Sequence, residues 1–356
     1  MGTIWFWLVA LILALYVVLD GFDLGVGALH FLTGRTVPER ELTLRTIGPV
    51  WDGNEVWLVA AGGTLYFAFP LLYASAFSGF YLPLMIVLWL LVLRGIGIEL
   101  RSHFELGIWR DFFDGIFSVG SVLLAFFFGV ALANVIRGVP LQVDHFFFLP
   151  LWTNFRPGPQ PGILDWYTVL GGVLALAALA EHGAFYLAIK TEGTLQQRAR
   201  RIAKWLWSPL AALTALSLAA TLIVDPLSTV AYLRNPVGFI FPAAIAAGLV
   251  MMFAFTVRKE DEKAFAGSII YLASMLLGAA FALYPVVLPS TLGSARDLTI
   301  ANTQAAYYGL SIGLIWWGFG IGIAIAYFIF VYRMFRGRVQ AAPPHGPEPV
   351  GGNGHG

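Results

Sequence analysis

The sequence predicts an all-α protein that crosses a membrane many times. Of its 356 residues, 59% are hydrophobic and 15% are aromatic, whereas 12% carry a charge, against about 25% in soluble domains. The mean hydropathy is +0.79, and apolar stretches recur along nearly the whole chain. These values exclude soluble globular, disordered, collagen-like and nucleic-acid-binding proteins, and the net charge of +1 does not suggest an acidic partner.

Nine apolar stretches are long enough to cross a bilayer, since about 20 helical residues span the hydrocarbon core. The first stretch lacks a basic start and a small-residue cleavage site, so we expect a retained span rather than a signal peptide. The nine predicted spans are 4–31, 51–74, 80–100, 112–136, 164–189, 205–224, 237–257, 265–288 and 305–332.

Basic residues are distributed unevenly between alternating connections. Sixteen of the 21 Lys and Arg residues fall on one side, four fall on the other, and Arg94 lies inside the third predicted span. Because basic residues are retained on the cytoplasmic side, this bias predicts an external N-terminus and a cytoplasmic C-terminus. The sixteen are Arg35, Arg40, Arg45, Arg101, Arg110, Lys190, Arg198, Arg200, Arg201, Lys204, Arg258, Lys259, Lys263, Arg333, Arg336 and Arg338.

The composition divides the chain into one transmembrane domain, residues 1–338, and a short tail. Residues 339–356 are rich in Pro, Gly and His without periodicity, so we expect a disordered cytoplasmic tail. The longest external connection, 137–163, is rich in Pro and aromatic residues. We expect it to lie along the membrane interface or against a partner.

Ionisable residues inside the predicted spans are the main functional candidates, because a charge at mid-bilayer costs about 2.5–3.5 kcal/mol on insertion scales. They are confined to the first five spans, and all of them fall in the predicted cytoplasmic halves. This distribution predicts a polar cluster that opens toward the cytoplasm. The residues are Asp20, Asp23, Asp52, Glu55, Arg94, Glu99, Asp114, Glu181 and His182.

The first span carries Asp20 and Asp23, whose three-residue spacing places both carboxyl groups on one helix face. Gly21, Gly25 and Gly27 remove side chains from the same stretch, which predicts close approach by a neighbouring helix.

The second and third spans carry the remaining members of the predicted cluster. Asp52 and Glu55 repeat the three-residue spacing, although Asp52 could instead cap the start of its helix. Arg94 and Glu99 lie near the cytoplasmic end of the third span. Arg94 would offset buried carboxylates, or it could snorkel to the interface or form a structural ion pair. Arg101 is expected to be a surface anchor.

Closely packed intramembrane acids suit a proton relay, because burial and a nearby Arg shift their proton affinity in opposite directions. Three functions fit the residues alone: a subunit that feeds protons to an oxygen-reducing centre, a proton-coupled secondary transporter, and a purely structural assembly subunit. A transporter predicts discontinuous helices in paired positions and a midplane substrate site.

The residue inventory limits the cofactors that the chain could hold. Zero cysteines exclude disulfides, thiolate zinc sites, iron–sulfur clusters and haem attached through cysteine. His182 lies within a span, but a lone helical His is more often hydrogen-bonded than ligated, and a bis-liganded haem needs a second axial ligand. We expect no haem, metal or catalytic residue in this chain.

Several specific runs cover most of the chain and together carry a family resemblance. They are 20–27 (Asp-Gly-Phe-Asp-Leu-Gly-Val-Gly), 48–54 (Gly-Pro-Val-Trp-Asp-Gly-Asn), 61–70, 73–81, 94–101, 138–140, 284–291 and 298–304. With these runs the chain resembles subunit II of the cytochrome bd-type quinol oxidases, including the cyanide-insensitive branch.

The resemblance implies a nine-helix subunit of two four-helix bundles plus one peripheral helix in the bacterial plasma membrane. It implies a heterodimer with a subunit I that holds haem b and haem d, and in some members a structural quinone or a small accessory subunit. The complex oxidises quinol, reduces oxygen to water and takes up cytoplasmic protons. Asp52 inherits a proton-entry role from the family, while the residues grouped with it are weaker candidates: Asp20, Asp23, Glu55, Glu99 and, as charge partner, Arg94. No role is carried onto His182.

Overall fold

The computed structural model describes residues 1–225 and 227–339, without the side chains of 227–229, and this part of the chain is mainly helical. The helices are α1 (Gly2–Ala28), α2 (His30–Thr33), α3 (Val37–Ile47), α4 (Trp51–Ala68), α5 (Pro70–Gly79), α6 (Tyr81–Leu100), α7 (Gly107–Arg137), α8 (Trp166–Lys190), α9 (Gly193–Val224), α10 (Leu227–Arg234), α11 (Ile240–Arg258), α12 (Asp261–Leu283), α13 (Ile300–Thr303) and α14 (Tyr307–Met334). Two short strands, β1 (Val286–Leu288) and β2 (Leu298–Thr299), pair antiparallel.

Eight helices in the described residues are long and apolar enough to cross a membrane. They coincide with eight of the nine predicted spans and are α1, α6, α7, α8, α9, α11, α12 and α14. The second predicted span, 51–74, is instead divided between α4 and α5, with Phe69 between them in a non-helical conformation. Pro70 explains the break, since the residue before a proline is disfavoured in the α region.

Two other predicted spans run past the C-terminal ends of their helices. The eighth span was predicted to reach residue 288, but α12 ends at Leu283 and residues 286–288 form β1. The first span was predicted to reach residue 31, but α1 ends at Ala28 and the short α2 begins at His30. Apolar runs continue past both helix ends, so hydropathy alone overextends the helices.

Helices α1, α7 and α8 each pack against several other long helices. We call α1, α4, α6 and α7 the N-terminal group, and α8, α9, α11 and α12 the C-terminal group. Within them, α1 packs on α4 and α7, α6 packs on α7, α8 packs on α9, and α11 packs on α12. The contacts of α8 with α7 and α1, and of α1 with α12, join the groups.

The predicted glycine contact at this junction is confirmed. A Cβ atom on Gly25 of α1 would lie 1.9 Å from the Leu179 carbonyl oxygen and 2.8 Å from the Gly183 Cα of α8. The two backbones therefore meet where both helices lack a side chain.

The two ends of the helical assembly differ in composition. The end that holds α3, the start of α9 and the end of α14 carries most of the Lys and Arg residues, and we call it the basic end. At the opposite end, residues 138–165 and the β1–β2 pair cover the helices, with Leu141, Leu149 and Ile163 buried. Phe148 and Trp152 of the same connection are exposed, which leaves part of the predicted aromatic segment free.

The predicted tail falls almost entirely on residues 340–356, which lie outside the described residues. Val339, its first residue, donates a backbone hydrogen bond to the Lys190 carbonyl. The end of α14 is thereby held against the basic end of α8.

Candidate functional site

The centre of the site is an ion pair between α1 and α6. Arg94 donates to both carboxylate oxygens of Asp20, with Nη1–Oδ2 and Nη2–Oδ1 distances of 2.9 Å and 2.5 Å. Both side chains are fully buried. Arg94 therefore does not snorkel to the interface, and the bidentate geometry compensates two charges that could not be buried separately.

Asp23, one turn further along α1, is bound by a different partner. Asn54 of α4 donates through Nδ2 to Asp23 Oδ2 at 2.7 Å and to the Leu19 carbonyl at 3.2 Å. Tyr332 of α14 donates its hydroxyl to Asn54 Oδ1 at 2.8 Å. Asp23 Oδ1 has no hydrogen-bond partner among the described residues. Asp20 and Asp23 thus share one buried region, as their spacing predicts.

Glu55 lies half-buried on α4, close enough to Asp20 and Arg94 to interact with their charges. Asp52, one turn nearer the basic end, is exposed and also interacts electrostatically with Glu55. Asp52 and Glu55 of α4 and Asp20 of α1 therefore form a series of acids that are exposed, half-buried and buried, respectively.

Asp52 is not the cap of its helix. The residue at the N-cap position is Val50, and Asp52 lies inside the first turn with its Oδ1 accepting from the Gly53 backbone N–H at 2.7 Å. Asp52 therefore does not cap the helix, and its exposed carboxylate can contact solvent.

Glu99 lies apart from the buried cluster. It is exposed near the end of α6, five residues beyond Arg94. The structure therefore brings together Asp20, Asp23, Arg94 and Glu55 and leaves Asp52 and Glu99 on the surface at the basic end.

A small cavity reaches toward this region from the basic end. It has a volume of about 60 Å³ and is lined by residues that include Arg45, Tyr186, Lys190 and Tyr332. The Tyr332 hydroxyl joins the cavity wall to Asn54 and hence to Asp23. A space of this size is enough for one or two water molecules.

A second buried acid forms a separate cluster at the basic end. Asp114 of α7 accepts from Arg101 Nε at 2.5 Å and contacts His30 Nε2 at 2.8 Å, and Arg40 Nε lies 3.1 Å away. Arg101 is buried in this contact, so the expectation that it is a surface anchor is wrong. Asp114 ties α2, α3 and α6 to α7.

Glu181 and His182 of α8 are both fully buried. The ring nitrogens of His182 are both engaged, with Nδ1 at 2.7 Å from Ser268 Oγ and Nε2 at 3.0 Å from the Val18 carbonyl oxygen. Neither nitrogen is free to bind iron, so His182 does not fit an axial haem ligand. Across the described residues no group of three or more His, Cys, Asp or Glu side chains is placed to hold a metal ion.

Sequence reasoning missed two members of the site, Asn54 and Tyr332. Asn54 stands within the Trp-Asp-Gly-Asn run, so its place beside two acids was visible in the sequence. Tyr332 gave no such indication, because it lies 278 positions away in an apolar helix and reaches the site only through packing.

Comparisons with known proteins agree on one family. Residues 1–335 match the family described as "Cytochrome bd terminal oxidase subunit II". The chain is 33% identical to the "Probable cytochrome oxidase subunit 2" of Haemophilus influenzae, covering 95% of each chain. It is 33% identical to the "Cytochrome bd-I ubiquinol oxidase subunit 2" of Escherichia coli K12, covering 87% of each. It is 32% identical to the "Cytochrome bd ubiquinol oxidase subunit 2" of Bacillus subtilis, covering 96% of this chain and 97% of the relative.

A solved structure shares the fold. A chain of the bd oxidase from Geobacillus thermodenitrificans superposes with a TM-score of 0.75 at 16% sequence identity, covering 94% of this chain and 98% of that chain.

Proposed function

Because the chain belongs to the subunit II family of cytochrome bd terminal oxidases, we propose that it delivers cytoplasmic protons through the acids of α4 and α1 to a haem-bearing partner. Family membership favours the oxidase over a proton-coupled transporter, which the residues alone left open. The catalytic centre, with haem b and haem d, then lies in subunit I, which this chain also stabilises.

The observation that carries the proposal is the graded burial of the acids. Asp52 is exposed, Glu55 is half-buried and Asp20 is fully buried beside Arg94. An exposed acid can collect a proton from water, and a half-buried acid beside a cation can release it again. Asp23 belongs to the same buried region. Its Oδ2 accepts a hydrogen bond from Asn54, and its Oδ1 has no hydrogen-bond partner among the described residues.

The proposal includes the orientation and arrangement of the helices. The basic end faces the cytoplasm, with the N-terminus outside, because the excess of Lys and Arg lies there. If α4 and α5 together form one further crossing, the chain has nine spans. The N-terminal and C-terminal groups then form the two four-helix bundles, and α14 is the peripheral helix. Glu99 and Asp52, both exposed at this end, then lie at the cytoplasmic side, where protons enter.

The proton role is tested by Asp52→Asn in the assembled complex. We expect slower oxygen consumption with unchanged haem content, because the amide keeps the shape of the side chain but cannot carry a proton. Glu55→Gln should likewise slow oxygen consumption without changing the haem content. Glu262→Gln, which removes an exposed acid in the first turn of α12, is the matched control and should keep normal turnover. Unchanged turnover in both Asp52→Asn and Glu55→Gln would contradict the proton role and support a purely structural subunit.

The assignment of haem to the partner is tested by spectroscopy. Reduced-minus-oxidised spectra of the chain purified alone should lack haem absorbance, whereas those of the complex should show it. Haem absorbance retained by the isolated chain would contradict the assignment. A structural quinone, a small accessory subunit and bound lipid remain part of the proposal, and mass spectrometry of the purified complex would detect each.

A further inference from the structure

Glu181 is a buried acid that the proposed proton path does not use. It lies on α8, nine residues before Lys190 at the end of the helix, which corresponds to a depth of about 13 Å. Its side chain is fully buried, and neither carboxylate oxygen has a hydrogen-bond partner among the described residues.

The surroundings of Glu181 are apolar. Ala178 and Phe185, which lie one turn away on the same face of α8, are buried in a cluster that includes Leu210 of α9, Met252 of α11 and Leu272 of α12. The polar groups nearby are occupied with one another: the Tyr271 and Thr214 hydroxyl oxygens are 2.7 Å apart, and His182 Nδ1 is 2.7 Å from Ser268 Oγ.

Charges on the neighbouring helices are located elsewhere or already compensated. On α1, Asp20 is bound by Arg94 and Asp23 by Asn54. On α7, Asp114 and Arg137 each have an opposite charge as partner. On α9, α11 and α12, the charged residues of the spans lie at the basic end, and these are Arg198, Arg200, Arg201, Lys204, Arg258, Asp261, Glu262 and Lys263. Tyr271 is the titratable group of α12 that interacts with Glu181.

An ionised carboxylate in such a place would have neither a cation nor a hydrogen-bond donor to offset its loss of hydration, whereas a neutral carboxylic acid is far less costly to bury. We propose that Glu181 is a second proton-binding site, inside the C-terminal group, which holds an exchangeable proton as the neutral acid. It is separate from the Asp20–Arg94 pair, in which each buried charge has an opposite charge as its partner.

Infrared spectroscopy of the purified oxidase complex tests the site directly. The wild-type spectrum minus that of Glu181→Gln at neutral pH should contain the carbonyl stretching band of one carboxylic acid, and the band should shift after a day in D₂O. The matched control Glu262→Gln should instead remove carboxylate bands, since Glu262 is exposed.

Two outcomes would overturn the proposal. Carboxylate bands in the Glu181 difference spectrum would show an ionised side chain, and a carbonyl band that does not shift in D₂O would show a locked proton. If Glu181→Gln does not assemble, Glu181→Asp replaces it. A pair of difference bands in the carboxylic acid region then supports the site, and a pair in the carboxylate region refutes it.

Discussion

Arg94 and Asp20 join α6 to α1 through two hydrogen bonds in a region from which solvent is excluded. Such a pair is not in itself a source of stability, because removing both ions from water offsets most of their attraction. The consequence is asymmetric: the pair is tolerated as a unit, but either member alone is a buried, uncompensated charge.

Arg94→Leu should therefore destabilise the complex by about 3–5 kcal/mol, measured by thermal or denaturant unfolding in detergent. The double variant Asp20→Asn with Arg94→Leu should recover part of this loss, because no charge is then left unpaired. Arg45→Gln is a control that breaks the half-exposed Arg45–Glu41 pair and should cost less than about 1 kcal/mol. Equal losses in Arg94→Leu and in the double variant would contradict the asymmetry.

The link between α14 and the acids makes a second prediction. Tyr332→Phe removes one hydroxyl from the Tyr332–Asn54–Asp23 chain and should cost about 0.5–1.5 kcal/mol. Asn54→Leu should cost more, because it also removes the donor from the buried Asp23 carboxylate. Unfolding of both single variants and the double variant gives the coupling energy, and strictly additive losses would show that the contacts act independently.

The fold was predictable where the apolar pattern is long and uninterrupted, and less so where local chemistry intervenes. Eight predicted spans coincide with long apolar helices, but the break at Phe69 depends on a single proline, and β1 follows α12 within one continuous apolar run. Hydropathy does not distinguish a buried strand from the end of a helix.

The site was predictable to the extent that its members lie close in sequence. Asp20 and Asp23 share a face because of their spacing, and charge made Arg94 a candidate partner. Nothing in the sequence indicated that Arg94 binds Asp20 rather than Asp23, or that Tyr332 reaches Asn54, because both choices are made by packing between distant helices.

The α1–α8 contact makes a third prediction. Gly25→Ala should lower the yield and thermal stability of the complex, because the added methyl group would meet rigid backbone atoms of Leu179 and Gly183. Gly21→Ala should be milder, since its new methyl group meets the flexible Leu179 side chain at 2.9 Å. Gly115→Ala, in open space on α7, is the control and should be neutral or slightly stabilising. Equal assembly of all three variants would refute a tight backbone contact.

The ion pair between α3 and α9 makes a fourth prediction, on acid stability. Glu39 accepts a hydrogen bond from the Arg198 guanidinium and also from the backbone N–H groups of Arg35 and Thr36. The Arg198 hydrogen bond is the main cause that lowers the pKa of Glu39 from 4.5 to about 2, while partial burial opposes it. The folded protein thus favours the ionised carboxylate more than the unfolded chain does.

A carboxyl group whose pKa is lower in the folded than in the unfolded protein stabilises the folded state at any pH above its unfolded pKa. This stabilisation is lost as the pH falls through the folded-state pKa. For Glu39 it should be complete above pH 4.5 and disappear progressively toward pH 2. Glu39→Gln should accordingly lower the thermal unfolding temperature of the complex above pH 4.5 and flatten its decline at lower pH. Arg198→Gln should flatten it in the same way, because it removes the cation from the same pair. A decline as steep in both variants as in the unaltered protein would assign the acid sensitivity to other groups.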